Sequence, residues 1–356
     1  MVNLAIVSRR LSGRGGMETV IKTVAQTAQA DRLPLSLWSM GRLLDTQWLH
    51  NISYRDVNID QGTGRRLQLR AKLPLYIMAL TRLLKDSDVD TLLVTDPTFV
   101  EAAHWARRIV RRPLRIFSWV HFSLDKLANI SSLRLADGHL AISQGIKRQL
   151  ADIPVSAPIF VVHNPLPYDF HPIPPGSMAP GQLLYVGRLN NHQKRLDLLF
   201  EALAQIAGPW QLNIMGDGPD STWLKELTHQ LGIDNRVHFN GWQPNPWRLA
   251  NPRALVLTSD FEGFPMVLVE GLAHGIPVIA TNCPTGPEDI VENHKNGLLV
   301  PTGSIPAIRD AIRIALDREW PWLLSPQEIQ QDIISRFNAS HVFRTMLNAI
   351  NSVPLR

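Results

Sequence analysis

The chain has 356 residues, of which 45% are hydrophobic and 19% charged, which indicates a globular protein of two domains rather than a disordered chain or a coiled coil. Its single cysteine, Cys283, cannot form an internal disulfide, which favours a reducing compartment, and no apolar run reaches the roughly 18 residues of a membrane-spanning helix. The net charge of +5 is uneven, with +9 on residues 1–165 and −4 on residues 166–356, so an acidic partner is expected for the first half.

Short apolar segments alternate with segments of helical length in the first half of the chain. We predict strands at residues 4–7, 91–95, 114–118 and 138–142, and helices at residues 18–30 and 73–85. This βαβα alternation predicts a doubly wound parallel sheet, which binds its ligands at the carboxyl ends of its strands.

A proline-rich segment separates the two halves. Residues 164–181 contain six prolines and two glycines, too many for a helix or a central strand. We therefore predict an N-terminal Rossmann-like domain, a linker, a C-terminal Rossmann-like domain and a C-terminal helix, at residues 1–165, 166–181, 182–335 and 336–356.

The alternation resumes after the proline-rich segment. The predicted strands are residues 182–186, 212–215, 237–239, 254–257 and 278–280, with helices at residues 196–207 and 221–231. Residues 325–352 are predicted to form two helices that pack back on the N-terminal domain. The chain is therefore expected to be an α/β protein of two Rossmann-like domains.

Gly15 and Gly16 lie in a glycine-rich segment that follows the first predicted strand and opens the first helix. Glycine lets a ligand approach the backbone closely, and free amides at a helix start attract phosphate or hydroxyl oxygens. The segment departs from the dinucleotide-binding fingerprint, because the third glycine is missing and no acidic residue ends an obvious second strand. A tight strand-to-helix turn without a ligand is the alternative.

Two cations follow the first strand of the second half. Arg188 comes at the end of that strand and Lys194 just before the next helix. A diphosphate needs such charges, and more so when it must leave as an anion. Gly216 and Gly218 end the next strand and predict a tight turn beside the same crevice, with simple turn chemistry as the alternative.

Glu262 and Glu270 flank a segment in which a loop passes into a helix. Gly263 and Pro265 exclude a helix around Glu262, and Pro265 is typical of a helix start, which places Glu270 about one turn inside the helix. Free amides near Phe264 are suited to phosphate oxygens, and the two carboxylates to sugar hydroxyls. A surface loop with two solvated glutamates is the alternative.

Together these motifs resemble the retaining GT-B glycosyltransferases of glycosyltransferase family 4, which use nucleotide-diphosphate sugars. A closer likeness, to the enzymes of lipopolysaccharide core synthesis, lies in residues 15–21, 117–125, 140–147, 241–243 and 261–266. The resemblance covers nearly the whole chain and implies a GT-B architecture, in which two Rossmann-like domains face a central cleft. It implies transfer of galactose from UDP-galactose to a glucose of the lipopolysaccharide outer core in α-1,6 linkage. UDP-glucose or UDP-N-acetylglucosamine, with another lipopolysaccharide or surface-glycan acceptor, is the alternative.

The resemblance also implies roles for residues of the donor site. Arg188 and Lys194 would bind the diphosphate and stabilise the leaving UDP, without a metal ion or another cofactor. Glu270 would hold the ribose, while Glu262 would hold the galactose and act with the two cations in catalysis. The other implied donor-site residues are Gly15, Gly16, Gly216, Gly218, Trp242, Gln243, Gly263, Phe264, Pro265 and Met266.

Two further residues are implied at the acceptor. His121 would lie near the reacting carbon as a catalytic and acceptor-binding residue, with a packed histidine that has one satisfied nitrogen as the alternative. Glu18 would face the acceptor hydroxyl, or else only favour the N-terminus of its helix. Asp88 and Asp90 precede a predicted strand, so a solvated turn rather than a metal site is expected there.

The resemblance implies an anionic partner for the basic first half of the chain. Lipopolysaccharide phosphates and the anionic inner face of the inner membrane attract Lys and Arg, so we expect a cytoplasmic, peripherally membrane-associated monomer. The candidate contacts are Arg65, Arg66, Arg70, Lys72, Arg107, Arg108, Arg111, Arg112 and Arg115. Alternatives are basic residues that only solvate helix faces, an inactive sugar-nucleotide sensor, and a nucleic-acid-binding protein, for which no module is recognised.

Overall fold

A computed structural model describes residues 2–11, 15–60, 71–168, 170–171, 181–248, 252–317 and 321–356. They form two compact units: unit 1 comprises Met1–Phe170 and Phe337–Arg356, and unit 2 comprises His171–Arg336. Residues 169 and 172–180 of the predicted linker lie outside the described residues, and so do Arg65, Arg66 and Arg70.

The described part of the chain forms strands β1 to β13 and helices α1 to α12, apart from short 3₁₀ turns. The strands are β1 (Leu4–Ser8), β2 (Leu35–Gly41), β3 (Ser53–Asp60), β4 (Thr91–Val94), β5 (Arg115–Ser118), β6 (Gly138–Ala141), β7 (Ile159–Val161), β8 (Gln182–Val186), β9 (Gln211–Met215), β10 (Val237–Phe239), β11 (Ala254–Leu257), β12 (Val278–Thr281) and β13 (Gly297–Val300). The helices are α1 (Gly16–Ala30), α2 (Leu73–Lys85), α3 (Pro97–Val110), α4 (Gln144–Ala151), α5 (Asn191–Lys194), α6 (Leu196–Ala204), α7 (Ser221–Gln230), α8 (Met266–Ala273), α9 (Pro287–Ile290), α10 (Ile305–Leu316), α11 (Pro326–Phe337) and α12 (Ala339–Asn351).

Unit 1 contains a parallel sheet whose described strands follow the order β3-β2-β1-β4-β5-β6-β7. Leu4 of β1 lies in register with Leu35 of β2 on one side and Thr91 of β4 on the other. Strands β1, β4, β5 and β6 are buried along their whole length, which explains their mostly apolar sequences. The strand order changes direction between β1 and β4, and sheets of this kind bind ligands at the carboxyl ends beside that point.

Unit 2 repeats this plan, and its described strands follow the order β10-β9-β8-β11-β12-β13 with parallel neighbours. The direction changes between β8 and β11. The loops that carry Arg188, Gly216, Gly241 and Glu262 follow β8, β9, β10 and β11 respectively. Because the carboxyl ends of parallel strands share one edge, the sequence motifs of the second half meet at that edge of the sheet.

The last helix of the chain belongs to unit 1. The Leu114 amide donates to the Arg356 carbonyl oxygen (2.9 Å), and the Arg115 guanidinium donates to the carbonyl oxygen of Ile350 (3.1 Å). The expectation that the C-terminal helices return to the first domain is thus confirmed for α12. Helix α11, by contrast, belongs to unit 2 as far as Arg336.

Some arginines of the arginine-rich stretch in unit 1 bond to other residues of the protein, and others are exposed. Arg107 forms a salt bridge with a buried aspartate (2.5 Å), Arg112 donates to two backbone carbonyls, and the buried Arg115 donates to α12. Contrary to the prediction, these three residues are not available to a membrane, because intramolecular acceptors already hold them. Arg108 and Arg111 are exposed. Among the described helices, none is long and apolar enough to cross a bilayer.

Candidate active site

A partly buried ion pair lies at the carboxyl edge of the sheet in unit 2. Lys194 ends α5, and Glu262 lies in the loop between β11 and α8. The Lys194 ammonium donates to Glu262 Oε1 (2.6 Å), and the hydroxyl of Ser259 donates to the same oxygen (2.6 Å). No described residue donates to Oε2, so that oxygen remains open to a further donor. Lys194 and Glu262 were predicted to contact different parts of a donor, and the structure brings them into direct contact.

Hydrogen bonds join the loop after β8 to the loop after β11. The Asp260 amide donates to the Gln193 carbonyl oxygen (2.9 Å), and the Gln193 side chain donates to the Phe261 carbonyl oxygen (3.1 Å). Arg195 bridges Asp197 (3.0 Å) and Asp260 (2.9 Å), and the hydrogen bonds to these carboxylates raise the pKa of its guanidinium. The two loops therefore form one connected support for Lys194 and Glu262.

The end of β12 and the loop after it fix the segment that carries Glu262. The Thr281 hydroxyl donates to the Ser259 carbonyl oxygen (2.5 Å), and the Thr285 hydroxyl donates to the Glu262 carbonyl oxygen. Both threonines are buried. Sequence reasoning missed Ser259, Thr281 and Thr285, although the polar residues directly after the apolar strands β11 and β12 were a usable signal.

Helix α8 begins where the sequence predicted. Pro265 is its N-cap residue and Met266 its first residue, so Glu270 lies just over one turn inside. Phe264 and Met266 are buried. A Cβ at Gly286 would lie 2.6 Å from Pro265 Cδ, so the loop after β12 packs closely on this helix start. The first amides of a helix have no intrahelical acceptor, and they can therefore bind an anion here.

Gly216 and Gly218 allow two loops to cross closely. A Cβ at Gly216 would lie 1.8 Å from the Gly187 carbonyl oxygen, and a Cβ at Gly218 would lie 2.3 Å from that of Leu189. Neither glycine has a positive φ angle. The alternative of simple turn chemistry does not account for these glycines: both positions need glycine because a side chain would collide with the backbone of the loop after β8.

The remaining predicted donor-site residues surround this crossing. The Gly216 amide donates to the Gly241 carbonyl oxygen (2.8 Å), which attaches the turn after β10 to the loop after β9. In that turn Trp242 is exposed, and the Gln243 side chain donates back to the turn's own backbone. The Arg188 side chain is exposed, and no described residue pairs with it. An uncommitted guanidinium at this edge is suited to an anionic ligand.

Glu270 is a carboxyl group without a hydrogen-bond donor among the described residues. It is half-buried in α8, and burial raises its pKa to about 7. A carboxylate in such a position has free acceptor capacity for the hydroxyl groups of a ligand.

Glu270 makes stability depend on pH. Its folded-state pKa of about 7 exceeds the ordinary value of 4.5. The protonated carboxyl is therefore favoured in the folded protein, and its contribution to the free energy of unfolding is fully present below about pH 4.5 and is lost as the pH rises through 7. We expect Glu270→Gln to raise the free energy of unfolding at pH 8 by about 1–3 kcal/mol and to change it little at pH 4.5. Thermal unfolding against pH measures this, with Glu226→Gln on the exposed face of α7 as the control. Equal effects of Glu270→Gln at both pH values would contradict the assignment.

In unit 1 the predicted residues lie at the carboxyl edge of the sheet. Gly15 is the N-cap of α1 and Gly16 its first residue. A Cβ at Gly15 would lie 2.4 Å from Glu18 Oε2, so this carboxylate lies against the start of its own helix.

His121 is buried three residues after β5. Its ring packs edge-on against Trp119 with centroids 4.4 Å apart. Neither ring nitrogen has a hydrogen-bond partner among the described residues, so the alternative of a packed histidine with one satisfied nitrogen is not observed. Burial lowers the pKa of His121 to about 3, and the imidazole is therefore neutral at physiological pH.

The aspartate pair before β4 lies at the opposite, amino-terminal edge. Asp90 accepts a hydrogen bond from the Asn3 amide (3.1 Å) and pairs with Arg115 (3.4 Å). Within the described ranges, no group of three or more His, Cys, Asp or Glu side chains is arranged to hold a metal ion.

Two family models match the chain: Glycosyltransferase Family 4 over residues 14–170 and Glycosyl transferases group 1 over residues 174–335. The lipopolysaccharide 1,6-galactosyltransferase of Salmonella typhimurium is 35% identical over 99% of this chain and 99% of its own length. The chain belongs to glycosyltransferase family 4. The corresponding protein of Escherichia coli K12 is 36% identical over 85% of this chain and 86% of its own length.

Several solved structures have the same fold as this family 4 glycosyltransferase. The apo form of the lipopolysaccharide outer core galactosyltransferase WaaB matches with a TM-score of 0.86 and 34% identity, over 99% of both chains. HepE of Anabaena, solved in complex with UDP, matches with a TM-score of 0.80 over 98% of this chain and 100% of its own, at 20% identity. The predicted α/β, GT-B architecture of two Rossmann-like domains is confirmed, and the chain is a glycosyltransferase. The individual site residues remain predictions.

Proposed function

We propose that this glycosyltransferase transfers galactose from UDP-galactose to a glucose of the lipopolysaccharide outer core, forming an α-1,6 linkage with retention of configuration. The observation that carries the proposal is the Lys194–Glu262 pair at the sheet edge that also carries the loop of the uncommitted Arg188 and the start of α8. The identity of 35% to the Salmonella lipopolysaccharide 1,6-galactosyltransferase supports the choice of sugar and acceptor.

The site supplies positive charge where a nucleoside diphosphate would need it. Arg188 and the first amides of α8 would bind the phosphate oxygens, and Lys194 would turn from Glu262 toward the diphosphate as UDP leaves. Glu270 would accept hydrogen bonds from the ribose hydroxyls, and the turn that carries Trp242 would border the uracil. Charges from the protein would take the role that a divalent cation has in other transferases.

The geometry of Glu262 favours front-face substitution. Two donors already hold Oε1. In the proposed arrangement Glu270 would hold the ribose and Glu262 Oε2 would accept a galactose hydroxyl, so neither carboxylate would attack the anomeric carbon. A double displacement of the kind used by retaining glycosidases would need that attack. Instead, the bond between the anomeric carbon and the UDP oxygen breaks while the acceptor oxygen bonds on the same face. The acceptor proton passes to the leaving phosphate oxygen.

The same proposal places the enzyme at the cytoplasmic face of the inner membrane as a peripheral monomer. Its acceptor would be anchored in that membrane by lipid A, whose phosphates are anionic. His121 and Glu18 of unit 1 would then contact the acceptor sugar, the neutral imidazole through its two unpartnered nitrogens.

A donor screen tests the proposal. The purified chain is incubated with radiolabelled UDP-galactose, UDP-glucose or UDP-N-acetylglucosamine and a lipopolysaccharide core truncated before the galactose. We expect galactose to be incorporated, linkage analysis to find a 6-substituted glucose, and α-galactosidase to release the label. Preferential incorporation of another sugar would refute the donor, and β-linked product would refute retention. A reaction without the truncated core is the control, and it should give no labelled product.

A further inference from the structure

We infer that the outward faces of helices α2 and α3 in unit 1 form a docking surface for an anionic lipid bilayer. We call this surface the α2–α3 face; its members are Leu75, Met78, Arg82 and Lys85 of α2, and Trp105, Arg108, Ile109 and Arg111 at α3 and its C-cap. The inference rests on the proposed function, because that function requires the enzyme to reach an acceptor that is bound to a membrane.

Helix α2 presents an apolar stripe that no described part of the chain covers. Its buried face consists of Tyr76, Leu80 and Leu84. On the other side Leu75 is 46% exposed and Met78 is 65% exposed. A soluble helix is expected to place polar residues there, so this stripe marks an interaction surface.

Helix α3 continues the surface. Trp105 is 43% exposed and Ile109 is 54% exposed, and their spacing of four residues places them on one face. The rings of Tyr76 and Phe99 pack edge-on with centroids 4.9 Å apart, which joins α2 and α3 side by side. Their outward faces are therefore neighbours. Tryptophan beside aliphatic side chains is typical of residues that insert at the boundary between headgroups and acyl chains.

The charges around the apolar stripe identify the occupant. Arg82, Lys85, Arg108 and Arg111 are all exposed. The exposed Asp86 at the C-cap of α2 lies 3.8 Å from Arg82, so the basic residues of the surface outnumber this acidic one. The Arg108 guanidinium lies 5.6 Å from the Trp105 ring centroid. An anionic bilayer complements this charge, since each basic residue near its surface strengthens binding about fivefold. A second copy of the chain is disfavoured as the occupant, because a two-fold interface would place basic residues against basic residues.

Vesicle flotation of the full chain tests the surface. The wild type should float with vesicles of phosphatidylglycerol and phosphatidylethanolamine at low salt, and much less with phosphatidylcholine alone. The double variant Trp105→Gln, Ile109→Gln should bind the anionic vesicles at least about 10-fold more weakly. The matched control is Trp223→Gln, Leu323→Gln in unit 2, which removes residues that are 49% and 73% exposed and should bind like the wild type.

Three further readouts separate this inference from its alternatives. The Trp105/Ile109 variant should keep the thermal midpoint of the wild type and should transfer sugar normally to a detergent-dispersed core oligosaccharide. Its transfer to lipopolysaccharide embedded in vesicles should fall. Unchanged flotation of this variant, or a wild-type dimer that the variant dissociates in light scattering, would overturn the inference. A wild type that floats but transfers no sugar would support the surface and refute the proposed function.

Discussion

Replacing Glu262 with glutamine lowers the turnover number by about 100- to 1,000-fold, the loss expected when a charged contact that strengthens in the transition state is removed. UDP affinity stays within about threefold of the wild type, because the change frees Lys194 to bind the diphosphate. The glutamine keeps the size of the side chain and an oxygen for the Ser259 hydroxyl. The loss therefore reports on charge rather than on loop structure.

Turnover at saturating donor and UDP binding by calorimetry measure these two quantities separately. Glu226→Gln on α7 is the control, since the same chemical change on an exposed helix face should leave both unchanged. Collapse of UDP affinity with turnover preserved at saturation would show that Glu262 binds the nucleotide instead of acting on the sugar.

Replacing Gly216 with alanine destabilises unit 2 by about 3 kcal/mol or more and weakens UDP binding at least about 10-fold. The added Cβ would lie 1.8 Å from the Gly187 carbonyl oxygen, and a backbone atom cannot rotate away as a flexible side chain can. The loop after β8 must move, and with it Arg188 and Lys194. Stability and donor binding should therefore fall together.

The matched control for this prediction is Gly232→Ala. Gly232 has a φ of +66° but nothing within 4 Å of an added Cβ, so alanine there costs only about 1 kcal/mol of backbone strain. Thermal unfolding and UDP calorimetry of both variants make the comparison. Equal losses in the two variants would mean that the crossing of the β8 and β9 loops does not support the donor site.

Several buried elements were predictable from the sequence. The predicted strand at residues 182–186 matches β8, and the predicted helix at residues 73–85 matches α2. Strands β2, β3, β7 and β13 were not predicted. Strand β3 is an edge strand with a polar sequence and lacks the apolar pattern that identifies buried strands. Strand β2 was missed although most of its residues are buried.

Individual arginines were less predictable than strands. Arg108 and Arg115 belong to one basic stretch, yet one is exposed and the other is buried and donates to the Ile350 carbonyl oxygen of α12. That acceptor is 235 residues away along the chain, and local spacing carries no information about it. Arg107, Arg112 and Arg115 were therefore wrong as candidate membrane contacts, and side-chain exposure identified the proposed α2–α3 face.

The sequence by itself determined the two Rossmann-like domains and placed Arg188, Gly216, Glu262 and Glu270 after strands or at a helix start, because short-range periodicity and turn residues encode those features. Only the tertiary structure decided that Lys194 donates a hydrogen bond to Glu262, 68 residues away, on the same oxygen that accepts from Ser259. It also decided that Gly216 is needed for close backbone packing rather than for a turn. Both results depend on how adjacent parallel strands bring separate loops to one sheet edge, and sequence spacing alone does not specify those contacts.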